Sequence, residues 1–353
     1  MHGLAAVKGL AVRAKLAMLL GSVLFAFASC NNAPLPPAHH SAHVVAQATS
    51  QPNYLPINRP VATTGCGKAA ALMPGTSGNV TIAVNPAAAD GYHTRMYRLH
   101  IPGAYMNEHP YPVVLVFHGS GGDAAGMESY TGFSRLADQE HFIAAYPQGL
   151  PIPPYSLVGI PGKLAWSSEG PIDFGVDEAL FVSNILDDLQ RQYCVDAHRI
   201  YATGFSNGGD MINFLACRLA GRIAAFAPVS GNFFAQPTGC HPGRPVPMLE
   251  VHGTQDAVPY NGIPASIDPA WPLPSIPQWL QQWATRDGCT KGPVIFLHDA
   301  KVTGEQWTGC SGNATVVHYR MEGGHHAWPG NIGGQSGTTV IWLFFKAHPL
   351  QFG

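Results

Sequence analysis

Gly204-Phe205-Ser206-Asn207-Gly208 is a G-x-S-x-G pentapeptide lying between two stretches of opposite periodicity. Arg199-Ile200-Tyr201-Ala202-Thr203 reads as a short β-branched and aromatic strand. Gly209 to Leu219 carries Met211, Ile212, Leu215, Ala216 and Leu219 at helical spacing. A sharp strand-to-helix turn needs glycine on both sides, because neighbouring backbone crowds any Cβ. Such a turn lifts a serine hydroxyl above the sheet, at the positive end of the following helix. The pentapeptide alone is a weak signal in a chain with 40 glycines, and the flanking strand and helix give it weight.

A serine hydroxyl is a poor nucleophile near neutral pH, so it needs a base, and the base needs an acid to orient it. Ser206 is followed by Asp256, just past Met248-Leu249-Glu250-Val251-His252, and then by Gly323-Gly324-His325-His326-Ala327-Trp328-Pro329-Gly330. Both segments follow apolar runs that read as strands, and loops at the carboxyl ends of parallel strands are where such sheets gather reacting groups. Among the other acids, Glu250 falls mid-strand, Asp268 lies further along the chain, and Asp287 lies in a helix-end loop beside Cys289. Asp256 is the best placed. His325 and His326 are adjacent and point in different directions, so spacing leaves the base open between them. An acyl-transfer intermediate also needs backbone N–H donors. Asn207, next after the serine, supplies one, and Ser120 in His118-Gly119-Ser120-Gly121-Gly122 supplies the second. His118 and His252, each before a glycine at a strand end, read as structural.

The elements that must hold these residues alternate strand and helix. Strands are expected at Tyr97 to Ile101, Pro112 to Phe117, Phe142 to Tyr146, Ala224 to Val229, Met248 to His252 and Ala314 to Met321. Helices are expected at Ser134 to Glu140, Val176 to Gln192, Trp279 to Arg286 and Thr338 to Ala347. Continuous apolar strands between amphipathic helices argue for one doubly wound α/β domain around a mainly parallel sheet. Charged residues make up 11% of the 353, with a formal net charge of −2, so there is no basic stripe for nucleic acid.

The first 30 residues read as an export signal, with Lys8, Arg13 and Lys15 ahead of an apolar stretch from Leu16 to Ala28. Ala26-Phe27-Ala28 fits ordinary cleavage. Ala28-Ser29-Cys30 resembles a bacterial lipobox, with Phe27 where leucine is usual, and would make Cys30 a lipidated membrane anchor. Residues 31–61 read as a flexible tether rich in Pro, Ala and His, in which His39, His40 and His43 are solvated. Residues 62–353 form the α/β domain. Setting Cys30 aside leaves six of the seven cysteines, an even number suited to an oxidising compartment, with fifteen possible pairings. Cys289–Cys310 closes a short loop, Cys217–Cys240 ties the helix after the serine to a later segment, and Cys66–Cys194 remains. No C-x-x-C pair exists, and no metal site or cofactor is expected.

Several segments together resemble the secreted feruloyl esterase and polyhydroxybutyrate-depolymerase-like esterase family. They are Gly65-Cys66-Gly67-Lys68, His118-Gly119, Tyr193-Cys194-Val195-Asp196, Ala202 to Gly209, Leu215-Ala216-Cys217, His252-Gly253-Thr254-Gln255-Asp256, Pro259-Tyr260-Asn261-Gly262, Trp283-Ala284 with Gly288-Cys289, and Gly323 to Gly330. The likeness runs in register from about residue 62 onward. It implies an α/β-hydrolase fold with Ser206 as nucleophile, Asp256 as acid and His326, within a G-G-x-H-x-W-P-G pattern, as base. Asp210 departs from it, since that family more often has a small or apolar residue there. The resemblance implies an exported serine carboxylic ester hydrolase acting on hydroxycinnamoyl or related esters of plant polysaccharide. Trp166, Tyr260 and Trp328, with Trp271, Trp307 and Tyr155, are candidates to line the substrate groove. The alternatives are a polyhydroxybutyrate oligomer depolymerase, a serine peptidase, and a catalytically silent surface-binding protein.

Overall fold

A computed structural model of the chain describes residues 60–84, 92–154, 159–168, 170–171 and 175–351. The export signal, Cys30, the three tether histidines and Tyr155 lie outside the described residues. Among those residues, no helix is long and apolar enough to cross a membrane, and no cluster of three or more His, Cys, Asp or Glu could hold a metal ion.

The first strands are β1 (Thr76–Ala83), β2 (Thr94–Ile101), β3 (Tyr111–Phe117) and β4 (Ile143–Pro147). Two short ones follow, β5 (Leu150–Pro151) and β6 (Leu164–Ala165), and pair only with each other. The remaining strands are β7 (Val195–Phe205), β8 (Ala225–Val229), β9 (Met248–Gly253), β10 (Lys291–His298), β11 (Val302–Thr308) and β12 (Val316–Met321). The helices are α1 (Ala124–Thr131), α2 (Phe133–Glu140), α3 (Glu178–Gln192), α4 (Asn207–Arg218), α5 (Ile276–Arg286) and α6 (Gly337–Ala347).

Ten strands form one sheet in the order β1-β2-β4-β3-β7-β8-β9-β12-β11-β10. The six from β4 to β12 run parallel, and an antiparallel pair closes each edge. The apolar run of β3 explains its central place. Val113, Leu115 and Phe117 face one core, with Phe181 of α3, Leu215 of α4 and Trp283 of α5. Val114 and Val116 face the other, with Met127 of α1, Phe133 of α2 and Ile341 of α6. Side chains alternate across a strand, so a strand covered on both faces reads as unbroken hydrophobe.

Helix starts differ from the periodicity in ways that caps explain. α3 begins two residues later than Val176, because the Asp177 side chain accepts the Leu180 N–H at 2.8 Å and fixes the first turn. α5 begins at Ile276 rather than Trp279, where Ser275 and Gln278 close a reciprocal capping box. Strands β1, β5, β6, β10 and β11 and helix α1 add to the elements read from the sequence. β10 is exposed along nearly its whole length and contains Pro293, so neither burial alternation nor composition marks it as a strand.

Three disulfides, Cys66–Cys194, Cys217–Cys240 and Cys289–Cys310, hold the domain, the same pairs reached from cysteine spacing. The first joins the start of the described chain to the residue before β7, across 128 positions.

Candidate active site

Ser206 sits between β7 and α4 with φ 58° and ψ −124°, a conformation that L residues rarely adopt. Its N–H is held by the Val229 carbonyl at 2.9 Å, and its own carbonyl accepts the Gly209 N–H at 2.7 Å. The flanking glycines are steric requirements. A Cβ on Gly204 would lie 2.4 Å from the Gly208 oxygen, and one on Gly208 would lie 2.3 Å from the Phe117 oxygen. The strained turn therefore persists only because β3, β7 and α4 press on it from both sides.

Past the end of β9, Asp256 meets the loop that follows β12. His326 Nδ1 lies 2.7 Å from Asp256 Oδ1, with the carboxylate fully buried and the imidazole 29% exposed. His325 turns the other way, is exposed, and approaches the Gln255 carbonyl at 3.2 Å. The chain can pass this close only because β9 ends in Gly253, where a Cβ would stand 2.2 Å from the Gly324 oxygen. The His326 ring packs on Phe205, the residue before Ser206, with centroids 4.6 Å apart. Burial works to raise the Asp256 pKa. The His326 hydrogen bond outweighs it, with help from Ser230, the Val258 N–H and the charge of His252, and holds the carboxyl below its ordinary value. Asp256 is therefore ionised throughout the neutral range, as an acid that steadies a charged imidazole must be.

The loop after β3 lies against the same turn, with Ser206 Cβ only 3.1 Å from a Cβ built on Gly119. Its Gly121 N–H is committed to the Leu164 carbonyl and its Gly122 N–H to Gly119, whereas the Ser120 N–H has no partner among the described residues. His118 is structural: its Nδ1 lies 2.8 Å from the Gly119 carbonyl, and its Nε2 accepts the Gly149 N–H at 2.9 Å. Burial lowers its pKa, in keeping with a neutral ring. The Asn207 side chain has a separate role from its backbone, accepting the Trp166 N–H at 2.8 Å. Asp210, the departure from the family pattern, fits this environment. It accepts the Asn232 N–H and faces Asn207 Nδ2 at 3.4 Å. Burial pushes its pKa up to about 7 despite those bonds.

Over 232 residues, 64% of the chain, the sequence is 31% identical to feruloyl esterase B of Piromyces equi, and it spans 41% of that protein's length. It is 26% identical to feruloyl esterase D of Neurospora crassa over 293 residues, covering 80% of each chain. The fold superimposes on an acetyl xylan esterase from Aspergillus awamori with a TM-score of 0.52 at 16% identity, covering 77% of this chain and 100% of the other. The chain has the α/β-hydrolase fold and is similar in sequence to feruloyl esterases. No protein-family model matches it.

Within this fold the aromatic candidates for the groove divide. Trp166 has no exposed surface, because its indole N–H donates to the His118 carbonyl at 2.8 Å and its ring packs edge-on against Phe117. Trp328 is 8% exposed, donates to Thr338 at 2.9 Å and packs on Phe133. Trp307 likewise belongs to the core. All three are core side chains in this structure, and Trp307 pairs with Val316 at the end of β12 away from the His326 loop. Tyr260 is half-buried, its hydroxyl 3.1 Å from His318 Nε2. Trp271 is exposed and packs edge-on against Phe234, which sequence reasoning missed. Ser230 was also missed. Its φ of 52° is a backbone feature that residue type alone does not announce.

Proposed function

We propose that the protein is a serine carboxylic ester hydrolase that cleaves hydroxycinnamoyl or related esters of plant polysaccharide through an acyl-serine intermediate. Ser206 Oγ attacks the ester carbonyl as His326 Nε2 removes its proton, while Nδ1–H donates to Asp256. Negative charge collects on the former carbonyl oxygen, where the backbone N–H groups of Ser120 and Asn207 receive it. Collapse breaks the ester bond, and His326 returns the proton to the departing alcohol. A water activated by the same imidazole then releases the acid and restores Ser206. The reading is carried by the 2.7 Å contact between His326 and Asp256, made beside a serine whose backbone is forced into a sharp turn. Three disulfides, the amino-terminal signal pattern and the tether support export, with Cys30 as the point of anchoring if it is lipidated.

Two measurements test the proposal. Ser206→Ala is expected to abolish turnover of para-nitrophenyl acetate and labelling by a fluorophosphonate probe; retained turnover refutes Ser206 as nucleophile. A panel of methyl ferulate, short acyl esters, hydroxybutyrate oligomers and peptides is expected to rank methyl ferulate first. Preference for the oligomers or for amides overturns the substrate assignment.

A further inference from the structure

Behind Asp256, on the side away from His326, lies a buried ionisable chain that the acyl-transfer chemistry does not use. Glu250, in mid-β9, has no exposed surface, and neither have His252 and His318. One Glu250 oxygen lies 3.0 Å from His252 Nδ1 and the other 2.8 Å from His318 Nδ1, which also lies 3.3 Å from the Glu250 backbone carbonyl. His318 Nε2 meets the Tyr260 hydroxyl at 3.1 Å. His252 Nε2 meets the Val258 carbonyl at 3.0 Å, and it lies 3.8 Å from Asp256 Oδ2.

Donor and acceptor chemistry restricts where the protons are. A carbonyl and an ionised carboxylate can only accept. With Glu250 ionised, as its lowered pKa indicates, His252 has one at each ring nitrogen, so both nitrogens donate, which only the imidazolium does. His318 can stay neutral, donating from Nδ1 to Glu250 and accepting at Nε2 from Tyr260. One buried positive charge therefore stands between two carboxylates, Glu250 and Asp256. Asp256 Oδ2 is buried, with the Ser230 side chain and the charge of His252 at 3.8 Å as the groups that steady the carboxylate on that side.

We propose that His252 is an imidazolium locked by Glu250 and the Val258 carbonyl, and that it is a positioning residue for Asp256. It draws Oδ2 inward so that Oδ1 stays aimed at His326, and its charge helps set the pH at which His326 acts as base. Other ionisable groups facing it are Asp210 of α4, whose carboxyl its charge favours, and Tyr260, whose ring lies 6.0 Å away. Arg320 and its partners lie beyond Tyr260. Burial opposes the charge on His252, but the hydrogen bond and charge of Glu250 outweigh it and keep its pKa above the ordinary value. The role rests on the esterase reading; the protonation state does not.

The experiment pairs histidine nitrogen NMR on the unaltered protein with kinetics of His252→Gln and Glu250→Gln. The His252 ring, assigned by its through-space contact with Val258, is expected to show two protonated nitrogens at pH values above the ordinary imidazole midpoint near 6.5. Each variant is expected to lower kcat on para-nitrophenyl acetate about tenfold with KM little changed. His252→Gln is also expected to raise the acid-limb midpoint of kcat/KM by about one pH unit, because loss of a nearby cation makes His326 easier to protonate, whereas Glu250→Gln, which removes an anion along with that cation, is expected to move it less. A neutral His252 ring in that range overturns the proposal, as does a folded variant with kcat and limb unmoved. If neither variant folds, the protonation state of the His252 ring in the unaltered protein decides the proposal, a neutral ring overturning it. If the unaltered protein cleaves no ester, the esterase reading fails while the NMR result on His252 still stands.

Discussion

Replacing Asp256 with asparagine leaves the volume of the side chain almost unchanged and removes one charge. The imidazole it orients lies 2.7 Å away and is 29% exposed, whereas the carboxylate is fully buried. With ring and carboxylate charges about 4 Å apart in a medium of effective dielectric about 20, the lost attraction is about 4 kcal/mol in the state where His326 carries the proton. That corresponds to about 10³-fold in rate. The amide also permits the wrong tautomer, with the proton on Nε2, which cannot accept the serine proton, and the combined loss is about 10³- to 10⁴-fold in kcat. The assay is para-nitrophenyl acetate hydrolysis with kcat and KM determined separately. His326→Ala should fall by a similar factor, while His325→Ala, whose ring is exposed on the Gln255 carbonyl, should lose less than about threefold. A loss under about tenfold in Asp256→Asn, or a larger loss in His325→Ala than in His326→Ala, would refute the assignment.

Breaking Cys66–Cys194 by a double serine substitution frees a 128-residue separation, and loop entropy predicts a loss of about 5 kcal/mol, read as a lower urea midpoint. His348 is 4% exposed and accepts from Thr315 while donating to Phe344, and burial pushes its pKa down to about 4. Its unfolded value is near 6.5, so it contributes stability above about pH 6.5 that is lost as pH falls toward 4, roughly 3 kcal/mol in all. Urea titrations across that window should show the slope, and His348→Gln should flatten it. Asp210 has the opposite sign: its raised pKa makes the folded state hold a proton that the unfolded chain releases as pH rises from about 4 to 7. Asp210→Asn is accordingly expected to raise the urea midpoint at about pH 8 and to change it little at about pH 4; equal effects at both would contradict the burial argument.

Much of the site was legible because its constraints are local. Gly204 and Gly208 announce a turn in which a Cβ cannot fit, and the order of Ser206, Asp256 and His326 follows strand ends that apolar runs mark. The aromatics were not legible in the same way. Trp166 and Trp328 are residue types that line grooves or fill cores equally well, and only the packing of β3, α2 and the loop after β6 assigns them to the core. The edge strand β10 escaped because an edge need not bury both faces, and β11, between β10 and β12, carries polar residues through its middle, so neither alternation nor continuous hydrophobicity marks them.

By itself the sequence determined the class of fold, the sharp serine turn and the even set of cysteines, since these follow from sterics, periodicity and counting along the chain. Tertiary structure decided everything that depends on which strands lie side by side. It put His326 on Asp256, as the family resemblance implied and spacing alone did not, where Gly253 lets the two loops touch. It also gave His252 and Asp210 environments that residue type cannot predict. Protonation depends on what surrounds a group in space, and β9, β12 and α4 meet only when the sheet is assembled.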